Sequence, residues 1–499
     1  MPGVNVTTAV RSGPVGTGDI VAGQLFVVGE TERGPIDAPM LLRSFSDYTT
    51  YYGKYQSGNL YAHVKTYFDE GGTRCYVQRV VGAGSAPGEV SFSASPSGAT
   101  IDFTAANDGE WADNLEIEIA AADVSGFKVK VYLDDVLLLT TRDLSSVDDA
   151  VSVINSSIVS HLVVASDNAT ASGNPAVAAK TALSGGDNGA TVTSSEIAAA
   201  LDAETTALSP NLKNGAVAAP GWYGATVWNA LRDHAAAFNR IALCAFSPSA
   251  ASGSAKSDAS DYYTDEKASY MGFYWPAVKV SAPSITELAT GATLPTSSVI
   301  TISPEAFVAG ARSRAVQQAS GPWRAGAGQI SASRTLRGLA TEITPAGSDL
   351  MDEARVNVIR KIGNSIRVYG ARSVSSDEAN WRYITMRDTM NHITVGIEER
   401  MEEYVFETID GRGALFGKIR GSIKAFLEPI RIAGGLYEAF DDTGAQIDPG
   451  YNVIVDSSIN PVTQLATGLV KAQVGVRVSG VADLIDIVIT KSNLSAPII

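Results

Sequence analysis

Both ends of the chain carry a short β-strand pattern with no second strand beside it. Apolar or β-branched side chains recur at every other position at the front (Val4, Val6, Thr8, Val10) and at the back (Ile485, Ile487, Ile489). A period of two predicts a strand with one buried face, yet neither segment has a hairpin turn and a neighbouring strand to pair with. Because termini fray unless something holds them, we expect both strands to pair elsewhere in the fold or on neighbouring copies of the chain.

Strand donation between identical copies has a structural consequence. Such a contact joins two different surfaces of the same molecule, and when it does not close into a ring it propagates into a helical filament. If the acceptor of either strand is a neighbouring copy, the two ends predict a chain that assembles with itself.

Composition argues against several classes of function. The 499 residues are 45% hydrophobic and 18% charged, which is typical of a folded chain with large cores. A net charge of −15 disfavours the phosphate-neutralising surface of a nucleic-acid-binding protein. We find no apolar stretch near the roughly 18 residues of a membrane span, and the first residues lack a basic and apolar signal region. Cys75 and Cys244 lie in apolar strand-like runs, which indicates buried thiols in a reducing, bacterial-type cytoplasm.

Changes of periodicity divide the chain into segments. Strand, helix and strand patterns open it, short strands between Gly, Asp and Asn clusters follow, and the α/β pattern returns after Pro220. We predict a mixed α/β (α+β) fold, with a discontinuous α/β core, an inserted β-rich domain and extended terminal strand arms. The predicted segments are 1–20 (N-terminal arm), 21–87 (first core segment), 88–195 (inserted domain), 196–365 (second core segment), 366–482 (C-terminal inner domain) and 483–499 (C-terminal arm).

Local patterns are clearest in the C-terminal inner domain. An apolar stripe predicts a helix over about 388–406; its members are Met390, Ile393, Ile397, Met401 and Val405. A second helix is expected over 414–426, with a proline near its end, and alternating residues at 453–456 and 472–478 predict a small local sheet. Residues 303–339, by contrast, show little periodicity, so we expect an irregular excursion there.

Motifs spread over most of the chain carry a family resemblance. At the front they are Met1-Pro2-Gly3-Val4, Gly29, Arg33-Gly34-Pro35, residues 48–53, and Phe68-Asp69-Glu70-Gly71-Gly72 before Cys75-Tyr76-Val77-Gln78-Arg79-Val80. At the back they are Ile366-Arg367-Val368-Tyr369-Gly370-Ala371-Arg372, Trp381-Arg382-Tyr383-Ile384, residues 416–427, Val474-Gly475-Val476 and residues 483–489. Together, in this order, they resemble tail sheath proteins, the subunits of the contractile sheath in phage tails and phage-tail-like contractile injection systems.

The resemblance implies a mechanism and a set of partners. Sheath subunits stack as a helical sleeve around an inner tube, their arms join the small sheet of neighbouring subunits, and contraction drives the tube through a target cell envelope. The implied partners are the chain itself, an inner tube protein, and baseplate and tail terminator proteins, without nucleic acid or membrane insertion. The implied location is a phage virion tail or phage-tail-like particle assembled in the bacterial cytoplasm. The resemblance implies no enzyme activity and no cofactor.

A local basic stretch in this acidic chain is the candidate for contact with the inner tube. Its members are Lys418, Arg420, Lys424 and Arg431. Lys424 follows Arg420 by one helical turn, and Gly417 and Gly421 permit close approach. Such a face can meet acidic groups through weak attractions that salt screens; a solvated helix face is the alternative interpretation.

We identify no catalytic, cofactor or metal site in the sequence. Four glutamates, Glu398, Glu399, Glu402 and Glu403, are interpreted as a solvated helix face and not as paired acid and base. The histidines are isolated from second ligands at metal-site spacing; they are His63, His161, His234 and His392.

Two other classes of protein stay open on the sequence. A surface-layer or tail-tube component would also donate strands, but its assemblies would keep a fixed length. A hydrolase with an accessory β-sandwich, whose middle domain binds carbohydrate, would be an active monomer with a deep polar pocket.

Overall fold

A computed structural model describes residues 22–483 and 485, apart from 37, 95–97 and 169–171. The first elements are β1 (Leu25–Gly29), β2 (Met40–Leu42), α1 (Phe45–Tyr52), α2 (Tyr61–Asp69) and β3 (Cys75–Arg79). Ser44 sets the start of α1, since its hydroxyl accepts from the Asp47 N–H (3.2 Å) while the Asp47 carboxylate accepts from the Ser44 N–H (3.0 Å). β1 and β3 are buried along their whole length, as expected for strands covered on both faces.

The next elements form two antiparallel sheets of their own. They are β4 (Glu89–Ser93), β5 (Ala99–Ala105), β6 (Leu115–Ala121), β7 (Phe127–Leu133), β8 (Val136–Thr140), α3 (Val147–Asn155), β9 (Val163–Asp167) and β10 (Ala178–Ala182). One sheet has the order β10-β6-β7-β8 and the other β4-β5-β9. Asp134 and Asp135, both at positive φ, make the turn between β7 and β8. The buried faces of both sheets, together with α3, form one hydrophobic core.

The chain then returns to the sheet that β1 began. The elements are α4 (Ser194–Leu201), β11 (Ala216–Ala218), α5 (Ala225–Ala237), β12 (Ile241–Ala245), α6 (Ser252–Ser260), β13 (Met271–Trp275), β14 (Val278–Ser281), β15 (Val299–Ile302), α7 (Glu305–Ala319), β16 (Gly338–Leu339), α8 (Pro345–Glu353), β17 (Val356–Ile362) and β18 (Ser365–Tyr369). Eight strands pair in the order β18-β17-β13-β12-β11-β1-β3-β2. The six central strands are parallel, and β18 and β2 are antiparallel edges. The predicted mixed α/β fold class is confirmed.

Each face of the eight-stranded sheet has its own core. Helices α1, α2 and α7 cover one face, where Tyr48, Val64 and Phe307 are buried. Helices α4, α5, α6 and α8 cover the other, where Trp228 and Phe273 pack edge to face with ring centroids 5.2 Å apart. None of the helices in the described ranges is long and apolar enough to cross a membrane.

The prediction of an irregular excursion at 303–339 is wrong, because this region contains α7. From Glu305 to Ala315 every residue of this helix is buried, so it shows no amphipathic stripe that the sequence could reveal. Two arginines of α7 form buried ion pairs. Arg312 binds Asp388 through two hydrogen bonds (2.7 and 2.8 Å), and Arg314 lies 3.0 Å from the Glu70 carboxylate. These pairs tie α7 to the C-terminal region on one side and to the end of α2 on the other.

The C-terminal region of the chain forms a helix pair over small hairpins. Its elements are α9 (Glu378–Trp381), α10 (Ile384–Met401), α11 (Ala414–Ile432), β19 (Ala439–Phe440), β20 (Gln446–Asp448), β21 (Tyr451–Ile454), α12 (Val462–Leu465) and β22 (Gln473–Val476). The boundaries predicted for the two long helices need correction. α10 begins before 388 and ends at Met401, so Val405 lies beyond it and is exposed. α11 continues through Pro429, because Ile430 is still needed in the core.

Candidate assembly surfaces

The predicted local sheet near the C-terminus is confirmed as the antiparallel pair of β21 and β22, a wide hairpin with α12 in its connection. The strands are antiparallel, with Tyr451 opposite Val476 and Val453 opposite Val474. These apolar side chains belong to the core beneath α11. Within the ranges that the structure describes, no third strand pairs with this two-stranded sheet. Its edges therefore offer backbone donors and acceptors to an added strand.

The strand arms lie almost wholly outside the described residues. This is so for Val4, Val6, Thr8 and Val10 at the front and for Ile487 and Ile489 at the back. Ile485 is described, and it is 76% exposed. Pairing of the arms with neighbouring copies stays a prediction.

The base of the predicted C-terminal arm is held by a polar contact that sequence reasoning missed. Asp483 accepts a hydrogen bond from the Tyr383 hydroxyl (3.2 Å). Its carboxylate also lies 3.8 Å from Arg372 and 3.6 Å from Arg382. The sequence offered one signal for this contact, because both arginines and the tyrosine belong to the family motifs. Only the fold brings these three side chains together around Asp483.

The described chain begins close to the eight-stranded sheet. The Gln24 side-chain amide donates to the carbonyls of Leu212 (2.6 Å) and Asn214 (2.8 Å). The Leu25 N–H donates to the Arg74 carbonyl at 3.0 Å. β1 is therefore fixed from its first residue, and any freedom of the N-terminal arm has to lie before it.

Three of the four basic candidates lie on the solvent side of α11. Lys418, Arg420 and Lys424 are exposed. The Lys418 ammonium contacts the Glu407 carboxylate, and this contact raises the pKa of Lys418. Arg420 and Lys424 share one flank of the helix, since they are four residues apart. Lys418 lies on the opposite flank, so the four residues do not form a single cluster.

Arg431, the fourth candidate, is bound within the chain. Its guanidinium Nε donates to Glu428 (3.0 Å) and its Nη1 lies 3.0 Å from Glu438. These carboxylates raise the pKa of Arg431, Glu428 being the larger cause. Glu428 also accepts from the Tyr451 hydroxyl at 2.9 Å. Arg431 thus belongs to a polar network that joins α11 to β21.

A strip of small residues lies between the two basic flanks of α11. Gly417, Gly421 and Ala425 follow one another at intervals of one turn and are exposed. A Cβ added to either glycine would meet no atom within 4 Å. Since a glycine inside a helix is less stable than alanine by about 0.5–1 kcal/mol, packing within the described chain gives no reason for these two glycines. The strip is smooth enough for another backbone to approach closely.

Two of the remaining polar candidates, His234 and Glu399, have partners within the chain. His234 is held between the Leu201 carbonyl (2.8 Å) and the Arg240 guanidinium (2.7 Å), and burial lowers its pKa to about 3. Glu399 faces Lys213 at 3.4 Å. Both cysteines are buried free thiols, as predicted. Among the described residues, no three His, Cys, Asp or Glu side chains gather as a metal-ion site would require.

The chain matches known proteins in fold but not in sequence. No family model matches the chain, and no curated protein matches it in sequence. Solved structures do match it over nearly their whole length. The sheath tail protein of Listeria innocua has a TM-score of 0.60 at 13% identity, covering 88% of this chain and 90% of that one. The anti-feeding prophage helical sheath in its contracted state gives 0.54 at 15% identity, covering 99% of both chains.

A chain of the contracted anti-feeding prophage baseplate gives a TM-score of 0.58 at 17% identity, covering 98% of both chains. At such identities the likeness concerns the fold, and it extends over nearly the whole length of both chains. These matches confirm the resemblance that the sequence motifs predicted: the chain has the fold of contractile sheath proteins.

Proposed function

We propose that this chain is the structural subunit of a contractile tail sheath. It polymerises as a helical sleeve around an inner tube and contracts to drive that tube through a target cell envelope. The observation that carries this proposal is the match over 99% of both chains to a helical sheath in its contracted state. No nucleotide is consumed and no bond is made or broken, so the chain works as a machine component and not as an enzyme.

The arms supply the links between subunits. Residues 1–20 and 483–499 leave the body as strands and pair with the open β21–β22 hairpin of neighbouring copies. Backbone hydrogen bonds of an added strand do not depend on the tilt of the donating body. The bodies can therefore rotate and move outward as rigid units while the links persist. A sleeve trapped in the extended form releases the free energy stored at assembly when it contracts.

The small-residue strip of α11 faces the inner tube. Gly417 and Gly421 allow close approach, and Arg420, Lys424 and Lys418 flank the strip with positive charge. Exposed ion pairs are worth at most about 1 kcal/mol each and weaken with salt. Contacts of this strength hold many subunits on a tube and still break together on contraction. Arg431 contributes indirectly, because it fixes α11 on β21.

The partners follow from this role. They are other copies of the chain, an inner tube protein, and baseplate and tail terminator proteins, in a phage tail or phage-tail-like particle assembled in the bacterial cytoplasm. The likeness to a chain of a contracted baseplate supports the baseplate as a partner. Nucleic acid and membrane insertion play no role.

Truncation of the N-terminal arm tests the proposal. Removal of residues 1–15 should leave a monomer with the urea-unfolding midpoint of the full chain but abolish tubular assemblies in electron microscopy. Val6→Pro should have the same effect since proline cannot join a strand ladder, and Val6→Thr, which keeps a strand-forming residue, is the matched control. Normal tubes from the truncated chain would refute the strand links between subunits. Tubes that have a single length and enclose no inner rod would refute contraction.

A further inference from the structure

The central sheet changes its winding direction between two neighbouring strands. β1 and β11 are adjacent and parallel, with Phe26 opposite Val217. The chain leaves β1 towards α1 and α2 on one face of the sheet, and it leaves β11 towards α5 on the other face. In open α/β sheets this arrangement opens a crevice beyond the carboxyl ends of the two strands, and ligands bind there.

A cavity of about 300 Å³ occupies this position. Glu30, directly after β1, lines it together with the loop that follows β11, which contains Trp222 and Tyr223. Tyr55 and His63 complete the wall from the side of α1 and α2. The volume lies at the lower end of the range for small-molecule sites. It is enough for one side chain or a small organic ion.

Glu30 gives the cavity an unpaired negative charge. Its backbone carbonyl accepts from the Leu60 N–H (2.9 Å), but its carboxylate makes no hydrogen bond or ion pair with any described residue. The side chain is half-buried, and this burial raises the pKa of Glu30. A partly desolvated carboxylate without a partner is unfavourable, so the site is incomplete as it stands.

Aromatic rings form part of the wall, beside residues 57–59 and 300–303. Tyr55 belongs to the core on one face of the sheet, whereas Trp222 and Tyr223 pack against the core on the other. Rings of this kind attract cations through their faces. His63 is 7% exposed, and its Nδ1 has no hydrogen-bond partner among the described residues. Burial lowers the pKa of His63 to about 4, so the ring is neutral and does not repel a cation.

The charge of the lining selects the class of ligand. No lysine or arginine of the described chain lines the cavity. The loop after β11 leads into α5, and a helix N-terminus attracts anions, but an anion here would meet the Glu30 carboxylate without any compensating cation. A metal ion would need several acidic or imidazole ligands, and no such group exists among the described residues. An organic cation fits both the carboxylate and the rings.

We propose that this cavity binds an alkylammonium group, with its charge on the Glu30 carboxylate and its alkyl chain against Tyr55, Trp222 and Tyr223. Two sources supply that chemistry: a lysine side chain of a second copy of this chain, or a free small amine. The site is defined on the monomer, so the proposal does not depend on the sheath function.

Titration of the full-length monomer with butylammonium, the end group of lysine, tests the site. We expect millimolar binding that changes Trp222 fluorescence and that Glu30→Gln weakens at least about tenfold. Because the Glu30 carboxylate is partly desolvated and has no partner among the described residues, Glu30→Gln should keep the urea-unfolding midpoint or raise it slightly. Butanol and butyrate are the neutral and anionic controls of similar shape. Absence of butylammonium binding, equal binding by Glu30→Gln, or stronger binding of butyrate would overturn the proposal.

The same titration on assembled protein distinguishes the two sources. If a lysine of a neighbouring copy fills the cavity, assembled protein no longer binds butylammonium and Glu30→Gln assembles poorly. If a free amine fills it, assembled protein binds butylammonium as the monomer does and Glu30→Gln assembles normally. Either result keeps the alkylammonium site and assigns its occupant.

Discussion

Replacing the two exposed glycines of α11 with alanine should stabilise the monomer and impair assembly. An alanine Cβ at Gly417 or Gly421 would meet no atom within 4 Å, and neither position has a positive φ. Each substitution therefore removes only the backbone entropy cost of glycine in a helix, about 0.5–1 kcal/mol. The double variant should gain about 1–2 kcal/mol in free energy of unfolding, measured as a higher urea midpoint with an unchanged slope.

The effect on assembly should have the opposite sign. If the strip faces the inner tube as proposed, two methyl groups on it would enter the space of a closely packed tube, and overpacking of this kind costs about 1–3 kcal/mol per site. Since every subunit repeats the contact, the double variant should fail to coat tubes at concentrations where the unchanged chain does so. Co-sedimentation with purified tubes and negative-stain electron microscopy measure this.

Two further glycines act as controls. Gly253 in α6 is equally free of neighbours, so Gly253→Ala should be tolerated by the monomer and leave coating unchanged. Gly396 in α10 is not free, because a Cβ there would lie 2.2 Å from the Phe426 ring, and Gly396→Ala should destabilise the monomer. Normal coating by the Gly417 and Gly421 double variant would show that this face of α11 does not touch the tube. A lack of monomer stabilisation would refute the conclusion that the strip is free within the chain.

Three other substitutions test the energetics of the body. Burial raises the pKa of Glu305 from 4.5 to about 7, so the folded state keeps a proton that the unfolded chain has lost, and stability falls as the pH rises through this window. In urea unfolding, Glu305→Gln should therefore be more stable than the unchanged monomer by about 3 kcal/mol above pH 7, and by little near pH 4.5. An equal difference in stability at the two pH values would contradict the raised pKa of Glu305. Asp388→Asn leaves Arg312 buried without its charged partner and should cost about 3–5 kcal/mol, whereas the exposed Asp349→Asn should stay within about 0.5 kcal/mol. Asp483→Asn should lower global stability by less than about 1 kcal/mol but speed hydrogen exchange over 479–485, and unchanged exchange would show that Asp483 does not anchor the arm.

Two kinds of strand show clear sequence patterns: strands with one wet and one buried face, and apolar strands buried on both faces. β6 and β7 alternate because their sheet is covered on one side, and the core strand β12 is an apolar run. Helix α7 escaped detection for the opposite reason, since its burial on all sides removes the period of 3.6. The carboxylate partners of its residues Arg312 and Arg314 lie 76 and 244 residues away in the sequence, so no local pattern could reveal these pairs.

The features of the candidate assembly surfaces also divide into those that local sequence patterns predict and those that depend on the fold. The hairpin of β21 and β22 and the exposed basic residues of α11 follow from local patterns. The open hairpin edges, the free space over Gly417 and Gly421, and the contact of Asp483 with Tyr383 depend on which distant segments are close in space. Pro429 illustrates the limit of local rules: it ended the predicted helix, but the core contact of Ile430 and the ion pairs of Arg431 continue α11 to Ile432.

The distribution of ion pairs indicates where a contracting sheath would deform. Arg312–Asp388 and Arg314–Glu70 are buried, and each joins α7 to a different region of the body. Breaking one buried pair costs several kcal/mol, so α7 is held firmly both to α10 and to the end of α2. The contacts of Asp483 at the base of the C-terminal arm are partly exposed and individually weak. Under the proposed function, a load on the lattice should therefore move the arm roots first and let rigid bodies turn while the added strands stay paired.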